Sequence, residues 1–151
     1  MKTLIESKVD RLIHKHKTNN PFEITKGEGI IIIIESLGSI KGYYNQFDGK
    51  KIIHVNADLS YTSQLFTCGH ELGHAILHED SNTPFLASNT FYSINKLERQ
   101  ANMFSAYLLI PSDVFIHYQG YCFDYISKCE YIPIELLKLR YELLTCSNKL
   151  L

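Results

Sequence analysis

The spacing of apolar residues changes along the first third of the chain, and each spacing predicts a different element. At the start, apolar residues recur at helical intervals among Lys, Arg and His side chains, which predicts an amphipathic helix over residues 1–18. The sequence Asn19-Asn20-Pro21 breaks this pattern and predicts a short second helix or a turn. Residues 30–34 are five isoleucines that lie between Gly29 and Gly38. We therefore expect a strand that is buried on both faces and lies at the centre of a small sheet.

Two further segments, residues 38–46 and 51–56, have the composition of strands. The sequence FDGK lies between them, and an Asp-Gly pair in this position is a strong signal for a hairpin. Together with the isoleucine strand, they predict a three-stranded sheet, mixed or antiparallel, over about residues 30–56. A small sheet followed by helices indicates an α+β fold.

Helical spacing returns after the sheet. Ser60 or Thr62 can cap a helix that reaches about residue 78, and Pro111 ends the helix that follows it. Pro133 can occupy a first helical position, while the polar segment of residues 79–89 is predicted to be a loop. The helices predicted for this half cover about residues 61–78, 94–109 and 112–146. The last range consists of a short helix that Ser112-Asp113 can cap and that ends at Gly120, and a final helix from Pro133 through Leu144.

The length and composition fit one globular domain. A chain of 151 residues can bury a compact core, and no repeat or linker divides it, so we expect a single domain over residues 1–151. A net charge of −1 gives the whole domain no electrostatic reason to bind nucleic acid. The basic side of the N-terminal helix is therefore interpreted as a solvated face, with a DNA-contacting arm as the alternative.

The cysteines and the N-terminus bear on where the protein works. The four cysteines form no CxxC pair, and the first residues lack the long apolar core of a signal peptide. The run of five isoleucines is too short to cross a bilayer. We therefore expect reduced, mostly buried thiols in a cytoplasmic protein that has no membrane partner.

The segment CGHELGHAIL, residues 68–77, predicts a metal site. On a helix, residues four apart differ by about 40° around the axis and about 6 Å along it, so His70 and His74 can share one ion. Two imidazoles at this spacing suit tetrahedral zinc. Glu71 lies at the edge of the same face, where it can serve as a base toward a water on the ion. The alternative is that all three are ordinary helix residues.

A catalytic zinc needs a third protein ligand and an open position. His78 lies about 12 Å along the helix from His70, too far to join the same ion. We expect it to interact with the last carbonyls of the helix instead.

Glu98 is the better candidate for the third ligand, because it begins a polar face on the next helix. Asn102 shares that face and could orient a ligating histidine through a hydrogen bond. Gln100 points elsewhere on the helix and Tyr107 lies opposite Glu98. Residues 95–98 also have the spacing of a capping box, in which Glu98 would bond to the start of its own helix.

Two longer motifs frame these residues, FTCGHELGHAILH (residues 66–78) and LERQANMFSAYLLIP (residues 97–111). With Gly42-Tyr43 and IIHVN in the preceding strands, they resemble the ImmA/IrrE family of metallo-endopeptidases. HELGH followed by E-x-x-A-N-x-F and L-L-x-P is far more specific than HExxH alone. Within the second motif, family members often carry a glutamate where this chain has Gln100, and usually an alanine where it has Ser105.

The resemblance covers about residues 35–112. It implies a zincin-like metalloprotease fold, in which the sheet packs against the HExxH helix and further C-terminal helices. It also implies that His70, His74 and Glu98 bind one zinc ion and that Glu71 is the catalytic base, although another divalent ion also suits such a site.

Family members are typically encoded by phages and integrative elements, and they cleave a helix-turn-helix repressor to release the genes that it silences. The resemblance therefore implies a protein substrate of this kind and no direct contact with nucleic acid. The alternative is a binding module that sequesters a repressor or toxin around a structural metal. Glu71 favours the enzyme, because binding alone needs no base beside the metal.

Hydrolysis also needs a donor to the oxyanion, commonly a Tyr or His. Tyr61, His117 and Tyr121 are the candidates that the sequence offers.

Overall fold

The computed structural model describes residues 2–80 and 91–148, which form seven helices and three strands. The strands are β1 (Ile31–Glu35), β2 (Gly42–Phe47) and β3 (Lys50–Asn56). The helices are α1 (Leu4–His16), α2 (Pro21–Gly27), α3 (Tyr61–Leu77), α4 (Phe91–Leu109), α5 (Val114–His117), α6 (Phe123–Glu130) and α7 (Ile134–Asn148). The loop predicted over residues 79–89 lies outside the described residues from residue 81 onward. Within the described ranges, no helix combines the length and apolarity needed to cross a membrane.

Side chains at the N-termini of the first three helices explain where these helices begin. The Thr3 hydroxyl accepts a hydrogen bond from a backbone N–H in the first turn of α1, at 3.1 Å. Asn20 caps α2 in the same way at 2.9 Å, and Pro21 occupies the first turn of that helix. Ser60, rather than Thr62, caps α3, with its hydroxyl 3.3 Å from the backbone nitrogen of the residue three positions on.

The sheet is mixed, with the strand order β1-β3-β2. β3 pairs in parallel with β1 and antiparallel with β2. Asp48 and Gly49 connect β2 to β3 with φ angles of 51° and 72°. Two consecutive positive φ angles are the signature of a type I′ hairpin turn, as the Asp-Gly pair predicts. The predicted α+β, zincin-like fold is confirmed.

The prediction for the isoleucine strand is wrong in two respects. β1 is an edge strand, because β3 lies between the other two. It is also only partly buried: Ile31 is 41% exposed and Ile34 is 52% exposed. These two side chains are three residues apart, so they point to opposite faces of the sheet. An apolar run indicates a strand, but strand order depends on pairing partners that the run does not encode.

Two hydrophobic clusters lie on either side of the α3–α4 pair. The larger cluster joins one face of the sheet to α1, α2, α3 and α4, and it includes the fully buried Tyr44, Ile53 and Leu72. The smaller one joins the N-terminal half of α3 to α4, α6 and α7, through residues such as Phe66, Ile110 and Leu137. The helix pair that carries the predicted site is thus packed from both sides.

The C-terminal segment predicted as helical over residues 112–146 contains three separate helices, and α6 has no counterpart in the prediction. Ile126 is the one fully inward residue of α6 among those described, so its apolar periodicity is weak. The expectation of mostly buried cysteines is wrong. All four thiols are free, but Cys68 alone is buried, because it faces the core from α3, whereas Cys122, Cys129 and Cys146 are exposed in the C-terminal segment.

Candidate metal centre

Helix α3 carries three of the predicted site residues on adjoining positions. His70 and His74 lie one turn apart, with ring centroids separated by 4.9 Å. The side chain of His74 is completely buried, and Glu71 is 6% exposed. Buried positions of the central helix are therefore occupied by polar groups that are costly to desolvate, which is common at functional sites.

Helix α4 brings Glu98 to the two histidines. Its Oε2 lies 3.1 Å from Nε2 of His70, and its Oε1 lies 2.9 Å from Nε2 of His74. One potential ligand atom from each of the three residues lies within 4.8 Å of the others. The capping-box alternative for Glu98 is wrong, because α4 begins at Phe91 and Glu98 is well inside the helix.

Two glycines on α3 let α4 approach closely enough for this contact. A Cβ atom on Gly73 would lie 3.1 Å from the Cβ of Phe104 and 3.2 Å from the backbone of Ala101. A Cβ on Gly69 would lie 2.9 Å from Oγ of Ser105. The Ser105 hydroxyl also donates a hydrogen bond of 3.3 Å to the carbonyl oxygen of Phe66 on α3. Small residues at this crossing therefore set the distance between the two halves of the site.

Outer hydrogen bonds fix both imidazole rings. Nδ1 of His70 lies 2.8 Å from Oδ1 of Asn102, which is the contact expected of Asn102. Nδ1 of His74 lies 3.2 Å from Nδ1 of His78, and Nε2 of His78 lies 2.7 Å from Oε1 of Gln100.

The positions of His78 and Gln100 differ from the sequence predictions. The His78 ring contacts His74 instead of the helix carbonyls. Gln100 contacts His78 and is thereby connected to the site. The reason is local: α3 ends at Leu77, and His78 takes a non-helical conformation with φ −133° and ψ 53°. The signal that could have found this contact is the repetition of the four-residue interval from His74 to His78.

The arrangement of acceptors fits a bound cation. Because the oxygen of Asn102 only accepts, the Nδ1 of His70 carries the hydrogen, and its Nε2 lone pair is directed toward Glu98. Among the described residues, none forms a hydrogen bond with the buried Nε2 of His74, although a Glu98 oxygen lies 2.9 Å away. Lone pairs at such distances repel unless a positive charge lies among them. Two imidazoles and one carboxylate are also a known ligand set of catalytic zinc.

Burial and mutual charge shift the pKa values of these groups. Burial raises the pKa of Glu98, but contacts with His70 and His74 outweigh it and hold this pKa well below its ordinary value. Burial lowers the pKa of His70, but Glu98 and the charge of Glu71 outweigh it and raise this pKa. The pKa of His74 is lowered, first by burial and then by the charge of His70. These directions favour an ionised Glu98 and a neutral His74, the forms that bind a metal, whereas the raised pKa of His70 means that an ion competes with a proton at its Nε2.

A cleft of about 340 Å³ lies beside the three candidate ligands His70, His74 and Glu98, and His70 forms part of its wall. His70, Glu71 and Asn102 line it on the side of α3 and α4, and Lys41 lines it from the start of β2. The other lining residues are Ser63, Phe66, Thr67, Pro133, Glu135 and Leu136. The cleft thus exposes Glu71 and His70 to a molecule lying between the sheet and α7. Apart from the predicted site residues, and from Phe66 and Thr67 at the start of the motif of residues 66–78, these positions have no motif that would mark them in the sequence.

The three candidates for an oxyanion donor do not line this cleft. Tyr61 lies at the N-terminus of α3 in a different groove. His117 is exposed beside Asp113 on α5, and Tyr121 stacks on Tyr125. Tyr107 faces away from the metal centre. Its ring lies beneath the guanidinium of Arg140.

Comparison with known proteins places this geometry in a family. A family model described as the IrrE N-terminal-like domain, Peptidase_M78, matches residues 25–142. The chain belongs to this peptidase family. The resemblance recognised in the sequence motifs is thereby confirmed, and with it membership of a metallopeptidase family.

Two relatives are similar over most of their length. A Bacillus phage phi105 protein named "Uncharacterized immunity region protein 2" is 39% identical over 141 residues, which cover 91% of this chain and 89% of the phage protein. "Metallopeptidase ImmA" of Bacillus subtilis (strain 168) is 30% identical over 135 residues, covering 85% of this chain and 79% of that protein.

A solved structure with the same fold is a Mycobacterium tuberculosis transcriptional regulator, with a TM-score of 0.57 and 14% sequence identity. The match covers 87% of this chain but 44% of the regulator, so this chain spans less than half of that protein. At this identity the likeness concerns the fold alone.

Proposed function

We propose that this protein is a zinc-dependent endopeptidase that cleaves a helix-turn-helix repressor of a phage or mobile element. The observation that carries the proposal is the convergence of His70, His74 and Glu98 within 4.8 Å, beside a cleft that Glu71 lines. Membership of the peptidase family supports the hydrolytic reaction. The phage immunity-region relative supports a substrate that belongs to the control of a phage or a mobile element.

His70, His74 and Glu98 would hold the ion through their two Nε2 atoms and the carboxylate. Zinc at that position supplies a Lewis acid for the scissile carbonyl and makes a neighbouring water more acidic. Glu71 accepts a proton from the attacking water and then delivers a proton to the amine that leaves as the peptide bond breaks. Asn102 keeps the ring of His70 in place while this happens.

The position of Glu71 separates a peptidase from a protein that only binds its target. Glu71 directly follows His70 on α3, so its carboxylate lies at the edge of the face that carries the two histidines. It also lines the cleft from a largely buried position. A sequestering module would need neither the acidic group nor its access to a docked peptide. The geometry therefore favours proton transfer at this position.

The test uses a helix-turn-helix repressor, chosen from the proteins encoded near this gene. The repressor is incubated with zinc-loaded wild-type protein and, separately, with Glu71→Gln, and the products are identified by mass spectrometry. Glu23→Gln, an exposed glutamate on α2, is the matched control. We expect one specific cut with the wild type and the control, and no cut with Glu71→Gln or with a chelator.

Two results would contradict the proposal. If the repressor stays intact and co-purifies with zinc-loaded protein, the sequestering module replaces the protease. If Glu71→Gln cuts as fast as the wild type, Glu71 is not the base.

A further inference from the structure

His78 joins the metal centre to a second residue of α4. Its Nδ1 lies 3.2 Å from Nδ1 of His74, and its Nε2 lies 2.7 Å from Oε1 of Gln100. The centroids of the His74 and His78 rings are 5.3 Å apart. A continuous line of polar contacts therefore runs from His74 through His78 to the amide of Gln100.

The chemistry of the three groups gives this line a direction. The amide oxygen of Gln100 only accepts, so Nε2 of His78 carries the hydrogen. A neutral imidazole with hydrogen on Nε2 has an acceptor at Nδ1, and the donor that the described residues place beside this atom is Nδ1–H of His74. His74 then has no hydrogen on Nε2. This is the nitrogen that lies 2.9 Å from Glu98 at the metal centre.

The burial of His74 makes an internal acceptor necessary. Its side chain is completely inaccessible to solvent, so bulk water does not reach its Nδ1. A buried N–H without an acceptor costs free energy, and the ring would instead place its hydrogen on the nitrogen that must bind the metal. His70 meets the same requirement directly through Asn102.

The end of α3 is anchored independently of the centre, which holds His78 in place. The hydroxyl of the buried Tyr44 donates a 2.6 Å hydrogen bond to the carbonyl oxygen of Glu79, the residue after His78. The ammonium of Lys51 donates to the carbonyl oxygen of Ala75 at 3.0 Å and contacts the Glu79 carboxylate at 2.9 Å. Strands β2 and β3 thus fix the backbone on both sides of His78.

We infer that His78, oriented by Gln100, is a positioning residue that holds the His74 ring in the orientation and tautomer needed to bind the metal. This inference rests on the proposed metal centre and adds an unassigned component to it. Metal-binding histidines commonly donate their second N–H to a carboxylate, a carbonyl or a water, and loss of that partner costs affinity. Here a second imidazole takes that place and is itself fixed by an amide.

The test is the zinc affinity of three variants, measured by competition with a chelator. His78→Phe keeps a ring but has no acceptor, and we expect it to bind zinc about 10- to 100-fold more weakly. His78→Asn keeps an acceptor atom at the position of Nδ1, and we expect its affinity to stay close to that of the wild type. His14→Phe, at an exposed position of α1, is the matched control and should bind zinc as the wild type does.

Two affinity results would overturn the inference. Either wild-type affinity in His78→Phe, or a loss in His78→Asn as large as that in His78→Phe, would show that no acceptor at this position matters. Thermal unfolding of the metal-free variants provides a separate check, because a positioning role predicts a larger change in zinc affinity than in stability.

A measurement on the zinc-loaded wild type avoids substitutions altogether. Long-range proton–nitrogen NMR correlation reports which nitrogen of each imidazole carries hydrogen. We expect hydrogen on Nε2 of His78 and on Nδ1 of His74. Hydrogen on Nδ1 of His78 would overturn the inference. Failure of the wild type to bind zinc would instead overturn the metal centre, and intact repressor beside a zinc-loaded centre would affect only the proposed reaction.

Discussion

At the scale of single residues, the candidate site depends on one carboxylate that comes from a different helix than the two histidines. His70 and His74 are linked by a four-residue interval, and helical geometry alone places them together. Glu98 has no such link. Its two oxygens contact both Nε2 atoms at 3.1 and 2.9 Å only because α4 crosses α3 at that point.

The first prediction concerns Glu98→Gln. The amide is nearly the same size as the carboxylate but has no negative charge to offer the ion. We expect zinc affinity to fall by more than the roughly 10- to 100-fold that loss of an outer partner costs. Chelator competition measures the change, and Glu23→Gln should leave the affinity unaltered. Equal affinity of Glu98→Gln and the wild type would remove Glu98 from the ligand set.

The sequence predicted the histidine pair and the base position but left Glu98 open between ligand and capping box. Spacing could not decide, because the interval from Asn95 to Glu98 fits a capping box, while the interval from Glu98 to Asn102 fits a shared polar face. The start of α4 at Phe91 excludes the capping box. The contact between His78 and Gln100 was not predicted, for a different reason. A periodic helix describes residues up to Leu77, whereas the contact arises where the chain leaves the helix.

At the scale of elements, the crossing of α3 and α4 determines whether the site can form. Gly69 and Gly73 on α3 face Ser105 and Ala101 on α4, and they leave no room for larger side chains at the present distance. The sheet, by contrast, anchors the far end of α3 through Tyr44 and Lys51. The two ligand-bearing helices are thus adjusted to each other by small residues and to the rest of the fold by hydrogen bonds.

The second prediction concerns Gly73→Ala. Alanine gains about 1 kcal/mol in helix propensity, but overpacking against the backbone of Ala101 costs about 1–3 kcal/mol. We expect a net loss of about 1 kcal/mol in the free energy of unfolding, measured by urea denaturation of the metal-free protein. Zinc affinity should fall as well, because α4 carries Glu98.

Gly69→Ala is the matched control for this substitution. Its new methyl group would meet the side-chain ends of Ser105 and Leu109, which can shift, rather than backbone. We therefore expect a smaller loss than in Gly73→Ala. If Gly73→Ala is as stable as the wild type and binds zinc equally well, the helix spacing does not depend on this glycine.

Periodicity predicted most elements but not their arrangement. Local chemistry explains three features: the Asp-Gly turn, the capped start of α3 and the end of α4 before Pro111. It does not explain the place of β1 at the edge of the sheet or the existence of α6. Both depend on which surfaces meet in three dimensions. The five isoleucines do not indicate which strand pairs with which, and the single buried Ile126 gives α6 no clear helical pattern.

At the scale of the whole molecule, the site lies where separate parts of the chain converge. The cleft is bounded by Lys41 before β2, by α3 and α4, and by Pro133 and Leu136 at the start of α7. Lys41 and the residues at the start of α7 belong to no motif that links them to α3 and α4, so these two walls of the cleft could not be predicted. A substrate in it would contact both the sheet side and the C-terminal helices.

The third prediction concerns removal of the metal. Because the proposed ligands come from two helices, zinc binds the folded chain better than the unfolded one and should stabilise it. Free zinc at about 100 times the dissociation constant adds about 2.7 kcal/mol, which corresponds to roughly 5–11 °C in Tm for a chain of this size. Differential scanning calorimetry with and without chelator measures the shift. Glu98→Gln should show little of it, and an equal shift in that variant would place the stabilising zinc elsewhere.

The central claim is that His70, His74 and Glu98 together hold one catalytic ion. The most direct measurement is a crystal structure of the zinc-loaded protein with diffraction data collected on both sides of the zinc absorption edge. The account predicts one strong anomalous peak per chain, about 2.0–2.2 Å from the Nε2 atoms of both histidines and from a carboxylate oxygen of Glu98. A peak at the exposed cysteines or at His78, with these three side chains unligated, would contradict it.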